Sequence, residues 1–146
     1  SFKVEWIGNK NNSGNLINTG AGGLNNLLKV LEANKNLFSK KIGLLFDCDT
    51  NKNEIVEDKY FTYTLTRIEG KVYKRGIENI LNLPSNFNYE EYNSKTVKED
   101  EYGVKTTIGT LNKVKLCDFI CNSPEANIYL MNIKKVIKEV DEKMKK

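Results

Sequence analysis

The segment Lys41-Ile42-Gly43-Leu44-Leu45-Phe46 is continuously apolar from Ile42 and stops abruptly at Asp47-Cys48-Asp49. A short uninterrupted apolar run suits a strand buried on both faces, as in a parallel sheet flanked by helices. In open parallel sheets, ligands bind beyond the carboxyl ends of the strands. Asp47 and Asp49 therefore stand where a site is expected. Residues i and i+2 of an extended segment face the same side, so the two carboxylates lie close together. Like charges at that range are unfavourable unless one is protonated or a cation lies between them. A hard divalent cation resolves the conflict and prefers oxygen ligands. The alternative is that the pair opens a solvated turn, where Asp is common.

The rest of the chain supplies partners for such a strand. Residues 2–7 alternate apolar and polar and read as a strand. Gly8 to Gly23 is rich in Gly, Asn and Ser and reads as loop. From Leu24, apolar residues at 24, 27, 28 and 31 follow helical spacing, fading near Asn34 to Asn36. Residues 50–58 form a polar, acidic turn, and Tyr60 to Ile68 has high β propensity throughout. Glu69-Gly70-Lys71 reads as a tight turn or hairpin. Ile77, Ile80 and Leu81 suggest a short helix that stops before Pro84. Residues 84–112 carry scattered Phe87, Tyr89, Tyr92 and Tyr102 without a period and read as irregular. Val114, Cys117, Ile120 and Cys121 return to helical spacing, with both cysteines expected in the core. Ser123-Pro124-Glu125 has the composition of a helix start. Ile133, Val136, Ile137, Val140 and Met144 mark one face of a long final helix. Together these elements predict one α/β layer fold over residues 1–146, with a mainly parallel sheet flanked by helices.

Composition narrows the chemistry. The chain of 146 residues has no histidine, which removes Ser-His-Asp and Cys-His nucleophile systems and His-ligated zinc. Three cysteines are too few for a disulfide scaffold, and their spacing is not that of a zinc ribbon. Reduced thiols in a cytoplasmic protein are the simpler expectation. The carboxylates beside Cys48 argue against a reactive thiolate there. A catalytic metal would then use oxygen ligands, as Mg2+, Mn2+ or Ca2+ do. The net charge of +4 assists approach to nucleic acid without demanding it. The lysines from Lys134 onward read as a solvated helix face. No apolar stretch is long enough to span a membrane.

Three metal-using families share parts of the Asp47–Asp49 pattern. A calcium loop would place ligands at Asp47, Asp49, Asn51 and Asp58, but Lys52 occupies the position that needs glycine, and the preceding segment is strand-like. Leu44-Leu45-Phe46-Asp47-Cys48-Asp49-Thr50 resembles the first motif of haloacid-dehalogenase-type phosphatases. That resemblance makes Asp47 the nucleophile and Asp49 the acid/base. Its second acidic motif would have to be Glu99-Asp100-Glu101, which no apolar strand precedes.

The third resemblance draws on more of the chain. A DxD at the end of a buried strand, Gly20-Ala21-Gly22-Gly23 before a helix, and Lys74-Arg75-Gly76-Ile77-Glu78-Asn79-Ile80-Leu81 together resemble the TOPRIM domain of OLD-type (overcoming lysogenization defect) ATPase-nucleases. Lys115-Leu116-Cys117-Asp118-Phe119-Ile120-Cys121 is similar to the C-terminal part of such domains, so the resemblance spans about residues 2–140. It implies a TOPRIM-like Rossmannoid fold and metal-dependent DNA cleavage in anti-phage defence. Asp47, Asp49 and Glu78 would hold Mg2+ or Mn2+. Gly20, Gly22 and Gly23 would form the loop beside the site, and Lys74 and Arg75 would contact the phosphate backbone. The implied partners are DNA and an ATPase domain in the same parent chain or in a second protein, with a possible homo-oligomer. The family's first motif, a strand followed by a catalytic Glu, has no counterpart here. Glu5 is the sole upstream carboxylate and is followed by Trp6. The expectation is a fragment of a longer protein whose first strand lies upstream. A TOPRIM-derived assembly module without activity remains the alternative.

Overall fold

The computed structural model describes residues 2–5 and 7–146. The chain is mixed α/β and gathers into two compact units. The first comprises the residues up to Ile80 together with Ile133–Lys146, and the second comprises Leu81–Asn132.

In the first unit, a small antiparallel pair, β1 (Asn9–Lys10) with β2 (Leu16–Ile17), precedes helix α1 (Gly20–Ala33). The strand expected over residues 2–7 is absent from residues 2–5 and 7, and Trp6 lies outside the described residues. Helix α1 begins inside the glycine turn rather than at Leu24. The Gly23 N–H reaches back to the Thr19 carbonyl at 3.2 Å, winding the turn into the helix.

Strand β3 (Ile42–Phe46) runs parallel to β4 (Tyr60–Thr64), with Ile42 opposite Tyr60 and Phe46 opposite Thr64. The connection between parallel strands is usually a helix. Here it is an acidic loop stitched onto the outer edge of β4. The Thr62 N–H donates to Ile55 O at 2.9 Å, and Glu57 N–H donates to Tyr60 O at 2.8 Å. The Thr62 hydroxyl, fully buried, accepts from Ile55 N–H at 2.7 Å and donates to Asn53 O at 2.9 Å. Thr64 Oγ1 donates to Lys52 O at 3.0 Å.

Partners in a parallel pair share a face. Leu44, Phe46 and Tyr60 bury themselves against Leu28 and Leu31 of α1. The opposite face presents Tyr63 and Leu65 to Ile133 and Val136 of helix α4 (Met131–Lys145), together with Cys48, Ile68, Ile77 and Ile80. Tyr63 OH donates to Glu139, and Lys143 pairs with Glu54. Each large side chain so buried contributes about 1.5–3 kcal/mol. The expected burial of β3 on both faces is corrected: Leu44 and Phe46 are buried, whereas Leu45 is 40% exposed. Helix α4 covers that face on the β4 side, and no other described strand joins β3.

β4 is also shorter than the propensity suggests. Leu65 N–H still reaches Phe46 O at 2.9 Å, but β3 offers no further partner, so the chain leaves the sheet before Ile68. Glu69-Gly70 makes a turn with Gly70 at φ +76°, with no hairpin, and Ile77–Ile80 forms a single 3-10 turn.

The second unit corrects the irregular reading of residues 84–112. A 3-10 turn at Tyr89–Tyr92 leads into a long antiparallel hairpin, β5 (Asn93–Glu99) with β6 (Lys105–Leu111). Helix α2 (Lys113–Asn122) starts on Asn112, whose side chain accepts from Lys115 N–H at 3.0 Å. Ser123 Oγ accepts from Glu125 N–H at 3.1 Å and opens the short helix α3 (Ala126–Tyr129), with α4 following. Phe87 and Tyr92 stack at 4.9 Å, Phe119 and Tyr129 at 5.7 Å, and Leu81, Leu116 and Ile120 complete the core. The sheets are thus one parallel and two antiparallel pairs, in place of the mainly parallel sheet expected. No described helix is long and apolar enough to cross a membrane.

Candidate functional site

The carboxyl end of β3 turns at once. Thr50 donates both its N–H (3.1 Å) and its Oγ1 (2.8 Å) to the Asp47 carbonyl, and Asn51 follows at φ +47°. Within this turn burial alternates: Asp47 and Asp49 are exposed, and Cys48 between them is buried. The Cys48 thiol donates to the Gly76 carbonyl at 3.7 Å and packs with Leu65 and Ile80. Burial first, then the carboxylates of Asp49 and Asp47, push this thiol above its ordinary pKa, so it stays protonated. The central residue of the DxD turn therefore ties it to the segment that carries Glu78.

That segment is organised by one side chain. Asn79 is fully buried. Its Oδ1 accepts from Ile68 N–H at 2.7 Å, and its Nδ2 donates to Ile68 O at 3.1 Å and to Tyr73 O at 2.8 Å. Asn79 thereby closes the 68–79 excursion on itself. Gly76 enters the 3-10 turn at φ +66°, a conformation that only glycine adopts without steric cost. Glu78 follows at 8% exposure. It stands within two residues of the Cys48 contact at Gly76. Lys74 and Arg75 are exposed just ahead of Gly76. Arg67 pairs with Glu69 at 3.3 Å.

The glycine loop meets the acidic loop through a longer reach. Lys52 Nζ donates to Asn25 Oδ1 of α1 at 2.9 Å and lies 5.8 Å from the centre of the Phe46 ring. Of the loop glycines, Gly23 is demanded by packing: a Cβ there would meet the Asn18 carbonyl oxygen at 2.0 Å. Gly20 has φ +59°, and Gly22 has open space around it.

Asp47 and Asp49 thus share one turn, and Glu78 sits in the segment that this turn's Cys48 contacts. Among the described residues, however, no group of three His, Cys, Asp or Glu side chains is placed to hold a metal ion. Glu99, Asp100 and Glu101 lie at the end of the β5–β6 hairpin in the other unit. There Asp100 Oδ1 accepts from Tyr102 N–H and Val104 N–H, both at 2.9 Å, which makes Asp100 a turn cap. The segment before Asp47 is a strand, not the helix that a calcium loop needs.

Sequence reasoning marks Lys52 only as the residue in the calcium loop's glycine position, and it assigns no task to Asn79 or to the Tyr63–Glu139 pair. Asn79 stands within the Gly-Ile-Glu-Asn run, which hinted at its importance but not at its task. The partners of the other two lie 27 and 76 residues away, beyond any local signal. Compared with known proteins, the chain matches no family model, no curated protein and no solved structure.

Proposed function

We propose that the carboxyl end of β3 is the phosphodiester-handling centre of a TOPRIM-like domain, from an OLD-like metal-dependent DNA nuclease. The observation that carries this reading is the Cys48–Gly76 contact at 3.7 Å. It joins the DxD turn to the Lys74–Leu81 segment, and those are the two motifs on which the resemblance mainly rests. The donor set fits a hard cation in kind, since Asp47, Asp49 and Glu78 all offer oxygen. It does not fit in place, because the described acids form no trio around a common point. The chain's own share is positional. Cys48 and Asn79 hold the two segments, and exposed Lys74 and Arg75 offer charge to a phosphate backbone. In the same reading, the parent protein is a cytoplasmic ATPase-nuclease acting against phage DNA.

The unassembled trio favours one second reading, a TOPRIM-derived assembly module without catalysis. Calorimetric titration of Mn2+ and Mg2+ into the chain, beside Asp47→Asn and Glu78→Gln, separates the two. Cation binding lost in both variants, with far-UV circular dichroism unchanged, supports the nuclease centre. Absence of binding in the folded wild-type chain refutes it and leaves the assembly module. Binding that only Asp47→Asn loses, with phosphate trapped on Asp47 during hydrolysis of a small phosphate ester, would assign the phosphatase chemistry instead.

A further inference from the structure

Helix α2 has a second face unrelated to the acidic turn. Leu116 and Ile120 are buried, and Phe119 packs among the rings of the second unit's core. Cys117 and Cys121, expected in that core, are instead exposed to solvent. They lie one turn apart, and their Sγ atoms are 3.9 Å from each other. Val114, 72% exposed, continues the same strip at i, i+3 and i+7.

The separation has chemical meaning. A tetrahedral zinc ion with Zn–S bonds of about 2.3 Å sets its sulfurs about 3.8 Å apart. The two thiols already stand at the edge length of such a site, on a regular helix that holds them there without ordering a loop. Thiolates select soft or borderline cations, whereas the oxygen ligands near Asp47 suit hard ones. Among the described residues no third His, Cys, Asp or Glu joins the pair in a metal-holding group.

We propose that Cys117 and Cys121 form a two-thiolate binding site for a divalent cation of the zinc and cadmium class, chelated across one turn of α2, with the other coordination positions filled from outside the chain. Binding exchanges two thiol protons for one cation and forms two metal–sulfur bonds, with no change in oxidation state. The site is independent of the proposed nuclease centre.

The test is titration of Cd2+ into the full chain, kept reduced with a phosphine, and read by the thiolate-to-cadmium charge-transfer absorption. Zn2+ then competes as a spectroscopically silent rival. The expected result is a saturable band that Zn2+ abolishes. Apparent affinity should fall about tenfold or more in Cys117→Ser and in Cys121→Ser. Both positions are exposed, so far-UV circular dichroism should stay unchanged. The double variant retains Cys48, so loss of the band in it excludes the buried thiol as the ligand. One cation per chain assigns the outer ligands to water. One cation per two chains, with a dimer in sedimentation, assigns them to the same pair of a second copy. Absence of a band, or serine variants that bind as tightly as the wild type, overturns the proposal.

Discussion

Replacing Asn79 with alanine should be among the most damaging single changes in the first unit. The side chain is fully buried and makes three hydrogen bonds to backbone groups of Ile68 and Tyr73. Each such bond contributes about 1 kcal/mol net, and its loss leaves a backbone group without a partner. The summed cost is about 3 kcal/mol, from a total stability of about 5–15 kcal/mol. For a chain of this size each kcal/mol lowers the melting temperature by about 2–4 °C, so a fall of about 6–12 °C is expected. Urea denaturation followed by circular dichroism measures the free energy, and differential scanning calorimetry measures the temperature. Asn79→Asp is the informative companion. It keeps the acceptor for Ile68 N–H but sets a carboxylate against two carbonyl oxygens, so it should cost at least as much as alanine. A loss below about 1 kcal/mol in Asn79→Ala would refute the assignment of Asn79 as the clasp of this segment. In the proposed nuclease centre the same variant should also weaken Mn2+ binding, because Glu78 is the adjacent residue.

Three further outcomes are expected. Gly43→Ala would place a Cβ 2.6 Å from Cζ of Phe61, a ring only 1% exposed, and should cost about 1–3 kcal/mol in urea midpoint analysis. Burial first, then the hydrogen bond to Glu139, push the Tyr63 hydroxyl up from its ordinary pKa of 10.0 to about 12. Below pH about 10 the hydroxyl is protonated in both states; between about 10 and 12 the unfolded chain releases its proton first, so stability falls as pH rises. Tyr63→Phe should show a shallower alkaline loss in denaturation across that window. Finally, Lys74→Ala and Arg75→Ala should each weaken DNA binding about equally across sequences and reduce the salt slope by about 1, measured by fluorescence anisotropy. Unchanged slopes would remove both residues from the interface.

The sequence by itself determined the elements whose signal is local. The apolar run of β3, the 3.6-residue spacing of α1 and the amphipathic face of α4 all report burial directly, and each formed near its expected place. The abrupt end of the run likewise marked where Asp47 and Asp49 would stand. Tertiary structure decided what periodicity does not carry. The β5–β6 hairpin leaves most of β5 exposed along its length, so it offers no alternation to read. Strand β4 ended where its partner ended, against a propensity that continued to Ile68. Cys117 and Cys121 share helical spacing with Ile120, yet the rotation of α2 against the aromatic core turned Ile120 inward and the thiols outward. The work of Asn79, Thr62 and Lys52 depends on hydrogen-bond partners 6 to 27 residues away. A linear pattern records which residues prefer burial; only the closed chain specifies which polar groups meet once they are buried.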